Sequence, residues 1–324
     1  MKILVTGGAG FIGSNFVRRL LEGAYEELAG ASVAVLDKFT YAGRIENLEP
    51  VLDNPLLSII HGDICDAPTV RQAISGSDLV VHFAAESHVD RSIASASAFV
   101  DTNVRGTYLL LAAALEYKVG RFIHVSTDEV YGSINHGAFT ESSPLRPNSP
   151  YAASKTSSDL FALAFHRTHG LPVCVTRCSN NYGPYQFPEK AIPRFITAIL
   201  SGSDIPLYGD GLHRRDWLHV DDHCRGLALV STRGRDGHVY NIGGGKELAN
   251  IDLARRVLKL LGADTSRIDW IADRKAHDRR YCVDISKISD DLGYAPHVSF
   301  DEGLEDTVRW YSEHPQWWQS LTLS

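Results

Sequence analysis

Apolar runs and helical-period stretches alternate through the first half of the chain. Residues 3–5, 32–36, 57–60, 79–83, 122–125 and 173–176 read as short buried strands. Helical spacing of Phe11, Ile12, Phe16, Val17, Leu20 and Leu21 predicts a helix starting near Phe11. A short helix is expected around 70–74 and long ones over 99–117 and 152–168. This strand–helix rhythm predicts a doubly wound parallel sheet. After Asn180 the rhythm breaks. A stretch rich in Pro, Gly and aromatics over 182–193 reads as a loop shaped by packing or by a ligand. Helices near 193–200, 221–231, 250–261 and 300–313 follow, separated by short strands and loops. The expected fold is α/β, with residues 1–180 forming the main sheet unit. About 213–245 returns to it, and 181–324 forms a smaller C-terminal α/β region that binds substrate.

The chain has 324 residues, with 44% apolar and 22% charged, and a net charge of −7. That composition is ordinary for a globular enzyme and argues against dedicated nucleic-acid binding. No apolar run reaches the length of a membrane span, and the first strand begins at once, which leaves no room for a signal peptide. Five scattered cysteines without CxxC spacing read as reduced thiols of a cytoplasmic protein. Fourteen histidines show no metal-binding spacing, so no metal site is expected.

Candidate chemistry lies where strands end. In KILVTGGAGFIG, Gly7, Gly10 and Gly13 form a turn between strand and helix. Such a turn lets the backbone approach a pyrophosphate, while the helix N-terminus offers free N–H groups and partial positive charge. Asp37, at the end of the second strand, suits the adenosine ribose hydroxyls and would repel a 2′-phosphate, so NAD is favoured over NADP. Asp63 suits an adenine contact or, equally, a turn-capping carboxylate. Tyr151 and Lys155 share a helix face at i, i+4. Tyrosine has a pKa of about 10, so a nearby ammonium and a cationic nicotinamide are asked to favour its phenolate, about 3–4 kcal/mol of electrostatic work for two to three units. Thr127 is placed to hydrogen-bond the reacting hydroxyl. Asp128 and Glu129 follow directly, and simple alcohol oxidation has no use for two adjacent carboxyls. They point to proton transfers at two further positions.

The glycine turn and YxxxK together resemble the short-chain dehydrogenase/reductase superfamily, which implies a Rossmann-type fold. More closely, TGGAGFIGSNFVR, DKFTYAG, FAAESHVDRSI, STDEVYG, SPYAASK, RCSNNYGPYQFPEKAIP, LYGDG, RDWLHVDDHC, YNIGGG and DRKAHDRRY resemble the dTDP-glucose 4,6-dehydratase family. The resemblance runs from the N-terminus to Tyr281. It implies that Tyr151 takes the proton of the sugar 4-hydroxyl as hydride passes to NAD, with Lys155 and Thr127 assisting. Glu129 is then the base at C5 and Asp128 the acid toward the leaving C6 hydroxyl. Hydride returns to C6, giving dTDP-4-keto-6-deoxyglucose. Asp128 must start protonated, which requires a raised pKa.

The resemblance also assigns NAD contacts to Gly7, Gly10, Phe11, Ile12, Gly13, Asp37, Lys38, Phe39, Thr40, Asp63, Ile64, Phe83, Ala84, Ala85, Glu86, Thr102, Tyr151, Lys155 and Asn181. Contacts with the nucleotide sugar fall, besides Thr127, Asp128 and Glu129, to Ser87, Asn180, Lys190, Ala191, Pro206, Leu207, Tyr208, Arg215, Asn250, Arg274, His277 and Tyr281. Two positions depart from the pattern: Arg44 stands where Asn is usual, and Lys275-Ala276 where Pro-Gly is usual. The rival readings are a UDP-hexose 4-epimerase or another nucleotide-sugar dehydratase of the superfamily, and a NAD-binding regulatory protein. An epimerase does not need Asp128 and Glu129. A homodimer is implied through helices 99–117 and 152–168, whose apolar faces are equally readable as core.

Overall fold

The computed structural model describes residues 1–322. The first half runs β1 (Lys2–Thr6), α1 (Phe11–Leu21), β2 (Ser32–Asp37), β3 (Leu57–His61), α2 (Ala67–Ile74), β4 (Leu79–His82), α3 (Val89–Ala94), α4 (Ser97–Phe99), α5 (Thr107–Glu116), β5 (Arg121–Thr127), α6 (Pro150–His169) and β6 (Val173–Cys178). The second half runs β7 (Asn180–Tyr182), α7 (Ala191–Leu200), β8 (Ile205–Tyr208), β9 (Arg214–His219), α8 (Val220–Arg233), β10 (Val239–Ile242), β11 (Lys246–Ala249), α9 (Asn250–Leu260), β12 (Ile268–Ile271), α10 (Ser286–Leu292), α11 (Phe300–Glu313) and α12 (Pro315–Thr322).

Seven parallel strands form the main sheet in the order β10-β6-β5-β4-β1-β2-β3. Consecutive buried residues along β1, β4, β5 and β6 show why these strands read as unbroken apolar runs: helices cover both faces. One face packs Phe16, Val17, Leu227 and Val230 against the sheet, and the other packs Val70, Leu110, Leu111 and Ala162. A separate apolar cluster gathers Tyr182, Phe195, Trp217, Leu253, Leu304 and Tyr311 around the later helices. Strand order reverses between β1 and β4, and at such a switch point a ligand crevice opens beyond the strands' carboxyl ends. Thr6 Oγ1 and His82 Nδ1 are 2.7 Å apart across that seam.

The expected single helix over 99–117 is interrupted. Residues Val100–Gly106 form a π-helical segment between α4 and α5. The cause is local: Asn103 turns inward, its Oδ1 accepting from Glu86 N at 2.8 Å. Its Nδ2 donates to Glu86 O and to Ser154 Oγ, both at 2.9 Å. The strand expected over 122–125 extends through Thr127, which places Ser126 and Thr127 at its buried end.

Candidate active site

The glycine turn is held in shape by its own backbone. Gly7 adopts φ +69°, and a Cβ there would lie 2.6 Å from Ala84 N. A Cβ at Gly13 would lie 2.3 Å from Gly7 O. No side chain caps α1, so its first N–H groups face the crevice without side-chain partners, ready for an anion. Asp37 is buried. Its Oδ2 accepts from Ala9 N and its Oδ1 from Phe39 N, both at 2.9 Å. Burial pushes its carboxyl up, against the pull of those backbone donors. Asp63 caps its turn through Cys65 N at 2.8 Å and pairs with Lys38 Nζ at 2.6 Å. An uncapped helix start, a buried carboxylate beside it and a cleft floored by backbone fit a dinucleotide.

One cavity joins these groups to the reactive ones. Its wall includes Gly7, Gly10–Gly13, Asp37, Lys38, Thr40, Asp63, Ile64, Phe83–Ser87 and Thr102 on one side. On the other it includes Thr127, Asp128, Glu129, Tyr151, Lys155, Asn180, Asn181 and Lys190. Phe39 faces an adjoining open cleft instead. Its backbone takes φ +51°, which turns the ring outward against His61, 5.4 Å away.

The reactive side chains come from two elements. Ser149 caps α6 through Ala152 N at 3.1 Å, with Pro150 in the first turn, and this fixes where Tyr151 and Lys155 emerge. Thr127, last residue of β5, opens the 3₁₀ turn Asp128–Tyr131 and caps it through Glu129 N at 3.3 Å. Burial, then the neighbouring Glu129 and Asp216, hold the Asp128 carboxyl well above the usual carboxylate range. Burial also raises Glu129, while Arg274, Lys190 and Arg215 pull it back.

Burial, then Glu129, push the Tyr151 phenol well above 10, and the hydrogen bond with Thr127 acts in the other direction. Lys155 Nζ donates to Val125 O at 2.7 Å and is not among the main influences on the phenol. Burial brings the lysine down to about 8.

Of the remaining assigned residues, Ala191, Pro206, Leu207, Tyr208, Arg215, Asn250, Arg274, His277 and Tyr281 do not line this cavity, whereas Asn180 and Lys190 do. Arg215 donates to Asp278 O at 2.9 Å and lies 4.3 Å over the Tyr281 ring, and Tyr281 Oη donates to Asp278 Oδ2 at 2.7 Å. Lys190 Nζ reaches Ser87 O at 2.9 Å. Arg274 Nε and Asn180 Oδ1 are buried with no hydrogen-bond partner. Pro206 and Tyr208 share the more open face of β8, whereas Leu207 points into the apolar cluster and is 1% exposed. Leu207 therefore has only backbone to offer a ligand. Ala191 and Asn250 open α7 and α9, and Asn250 N donates to His213 O at 2.9 Å.

His213, Asp273 and His277 bring three potential metal donors within 4.8 Å. The two rings stack 3.7 Å apart and 13° from parallel. Their in-plane lone pairs therefore cannot converge on one ion. Asp273 instead accepts from His277 Nδ1 at 2.7 Å, and burial and Arg274 bring His277 down to about 3.

Sequence reasoning missed a clasp at the cavity mouth. Tyr41 Oη donates to Glu189 Oε1 at 3.2 Å, Arg91 lies 3.8 Å over the Tyr41 ring, and Arg91 and His88 approach Glu189 Oε2 at 3.5 and 3.6 Å. All four residues sit in the quoted motifs, but nothing in their spacing announces that three segments meet. Arg44, the first departure, donates to Trp317 O at 3.1 Å and ties α12 to the loop after β2. Ala276, the second, adopts φ +53°, a conformation natural to glycine.

The chain matches a family model described as GDP-mannose 4,6 dehydratase over residues 4–307. It is 55% identical to the dTDP-glucose 4,6-dehydratase of Streptomyces niveus, covering 99% of this chain and 96% of that one. Identity to the dTDP-glucose 4,6-dehydratase of Streptomyces antibioticus is 58%, with 99% and 95% covered. Among solved structures, it superposes with a TM-score of 0.98 on the dTDP-glucose 4,6-dehydratase of Streptomyces venezuelae with NAD and TYD bound. That protein is 60% identical, with 99% of this chain and 100% of that chain covered. The UDP-glucuronic acid 4-epimerase of Bacillus cereus shares the fold at TM-score 0.90 and 30% identity, with 97% and 99% covered.

Proposed function

The chain belongs to the dTDP-glucose 4,6-dehydratase family of NAD-dependent hydro-lyases, and from that premise we propose how its own residues divide the reaction. NAD, when bound, accepts hydride from the sugar C4 and gives it back at C6. Tyr151 takes the proton of the 4-hydroxyl as a phenolate, and Thr127 holds that oxygen. The positive charges of the nicotinamide, when bound, and of Lys155 would favour that phenolate against the burial that raises its phenol. Lys155 keeps a positive charge below the phenol. The C4 ketone acidifies the C5 proton, which Glu129 removes, and C5 takes a proton back as hydride returns to C6. Asp128, kept protonated by burial and by Glu129, gives its proton to the departing C6 oxygen. Arg215, Arg274 and Lys190 suit the diphosphate, the two arginines as bidentate donors.

The observation that carries this reading is the adjacent carboxyl pair Asp128-Glu129 in one cavity with Tyr151 and Lys155. An epimerase shares the fold but has no task for that pair, so dehydration is favoured over epimerisation. The test is to follow the sugar C6 protons by NMR in dTDP-glucose incubated with the enzyme. Conversion of the hydroxymethyl signal to a methyl signal supports the reading, and a galactose signal instead contradicts it.

Three further readings go with it. The chain divides into a cofactor unit over 1–180, joined by about 213–245, and a sugar-nucleotide unit over the rest of 181–324. The protein works as a homodimer through α5 and α6: Tyr108, Leu160 and Phe161 expose 44%, 54% and 40% of their surface, and Tyr108 lies 6.3 Å from Phe161 and 6.2 Å from Phe165. An exposed aromatic patch of that kind favours a partner surface. The cytoplasm is the compartment that suits its five unpaired cysteines. No helix among the described residues is long and apolar enough to cross a membrane.

A further inference from the structure

Ala9 sits inside the glycine turn, between Gly7 and Gly10, and both polar groups of its backbone are tied down. Its N–H donates to Asp37 Oδ2 at 2.9 Å. Its carbonyl accepts twice, from Asn47 Nδ2 at 2.8 Å and from Arg44 N at 3.0 Å. At the other end of the same peptide, Gly10 N donates to Gly7 O at 3.1 Å. The Ala9–Gly10 peptide is therefore pinned on both sides, and α1 begins at the next residue. How that peptide is held sets where the uncapped N–H groups of α1 point.

Both residues that hold the Ala9 carbonyl are joined to Trp317 of α12. Trp317 Nε1 donates to Asn47 Oδ1 at 3.2 Å, and Arg44 Nη1 donates to Trp317 O at 3.1 Å. Asn47 and Trp317 are both buried, so the amide oxygen depends on the indole N–H for its partner. Asn47 O also accepts from Arg18 Nη1 of α1. The Arg18 guanidinium lies 4.1 Å over the Tyr185 ring, and that ring meets Trp317 with centres 5.8 Å apart. Neither Trp317 nor Asn47 lines the cavity. They brace the turn from behind.

We infer that Trp317 is a positioning residue for the cofactor: its indole N–H, acting through the Asn47 amide on the Ala9 carbonyl, holds the glycine turn in the shape that receives the NAD pyrophosphate. The inference rests on NAD lying against that turn. Without the indole N–H, the Asn47 amide loses its buried partner and is free to swing away from Ala9. The turn must then be ordered by the ligand it binds. A site already ordered spares the ligand that cost, and the gain shows mainly as slower release.

The test is the rate at which NAD leaves the loaded enzyme, in wild type, Trp317→Phe, Asn47→Ala, the double variant and Asp37→Ala. Released NAD is trapped with ethanol and alcohol dehydrogenase and read as NADH absorbance. Trp317→Phe keeps an aromatic ring and the carbonyl that Arg44 uses. It is expected to release NAD about two- to tenfold faster, the worth of one hydrogen bond. Its kcat with NAD in excess and its KM for dTDP-glucose stay near the wild-type values, because the indole lies outside the cavity. Asn47→Ala releases NAD at least as fast, and adding Trp317→Phe to it changes the rate no further. Should Asn47→Ala fail to fold, the release rate of Trp317→Phe decides alone. Wild-type release in Trp317→Phe, even with a lowered melting temperature, overturns the inference, as does a full extra effect in the double variant. Fast release in Asp37→Ala beside wild-type release in Trp317→Phe overturns the inference and leaves NAD at the turn. Wild-type release in Asp37→Ala overturns that placement, and the inference with it.

Discussion

Thr127 Oγ1 donates to Asp128 Oδ1 at 3.3 Å, and the other oxygen of that carboxyl, Oδ2, is buried with no partner. A buried polar atom left unpaired costs stability, and sites that bind or react with ligands are where such costs are tolerated. The hydroxyl orients the carboxyl, and in the proposed reaction the open oxygen is the one free to give a proton to the departing C6 hydroxyl.

Asp128→Asn keeps the shape and the contact with Thr127 but has no acidic proton to give. Formation of the methyl product, followed by NMR, is expected to fall by about 10²–10⁴. The melting temperature should hold or rise, because a desolvated acid is removed. Activity within a few-fold of wild type would remove Asp128 from the acid role.

Ala276 in its left-handed conformation carries about 1–2 kcal/mol of strain that glycine lacks. Ala276→Gly gives part of this back, since glycine costs about 0.4–1 kcal/mol more in unfolded-state entropy. Calorimetry should show a melting temperature that is unchanged or raised by about 2 °C. A clear fall would show that the alanine methyl makes a contact worth more than the strain.

His223 is fully buried, and its Nδ1 meets Asn181 Oδ1 at 2.8 Å. Burial lowers its pKa to about 3, against an unfolded value near 6.5. Below about pH 6.5 the unfolded chain takes up a proton that the folded site refuses, so this residue removes stability as pH falls toward 3. Melting temperatures of His223→Gln, measured from pH 6.5 down to pH 4, should fall less steeply than those of wild type. Parallel slopes would mean that the imidazole is already charged in the fold.

The main sheet was legible because parallel strands covered on both faces must be continuous apolar runs, as at Leu4, Val5, Val80 and Val81. The short strands β7, β9 and β11 were not, because Asn180, Arg214 and Lys246 give them no apolar signature. The π segment depends on where the Asn103 side chain goes, which spacing does not encode. The inward turn of Leu207 was available from strand alternation, since residues 206 and 208 share a face that 207 cannot. The residues proposed to react were legible as motifs. The burial that raises the Tyr151 phenol was not, because it depends on how deeply the fold encloses the ring and which acids face it.

The central claim is that Glu129 takes the C5 proton and so commits the sugar to losing water. Its most direct test is a single turnover of dTDP-glucose deuterated at C5 in ordinary water, comparing NAD-loaded wild type with Glu129→Gln by mass spectrometry and NMR. Wild type should release the deuterium and form the methyl product, while Glu129→Gln should retain deuterium at C5 and form no methyl. Loss of the C5 deuterium at the wild-type rate in Glu129→Gln would contradict the account.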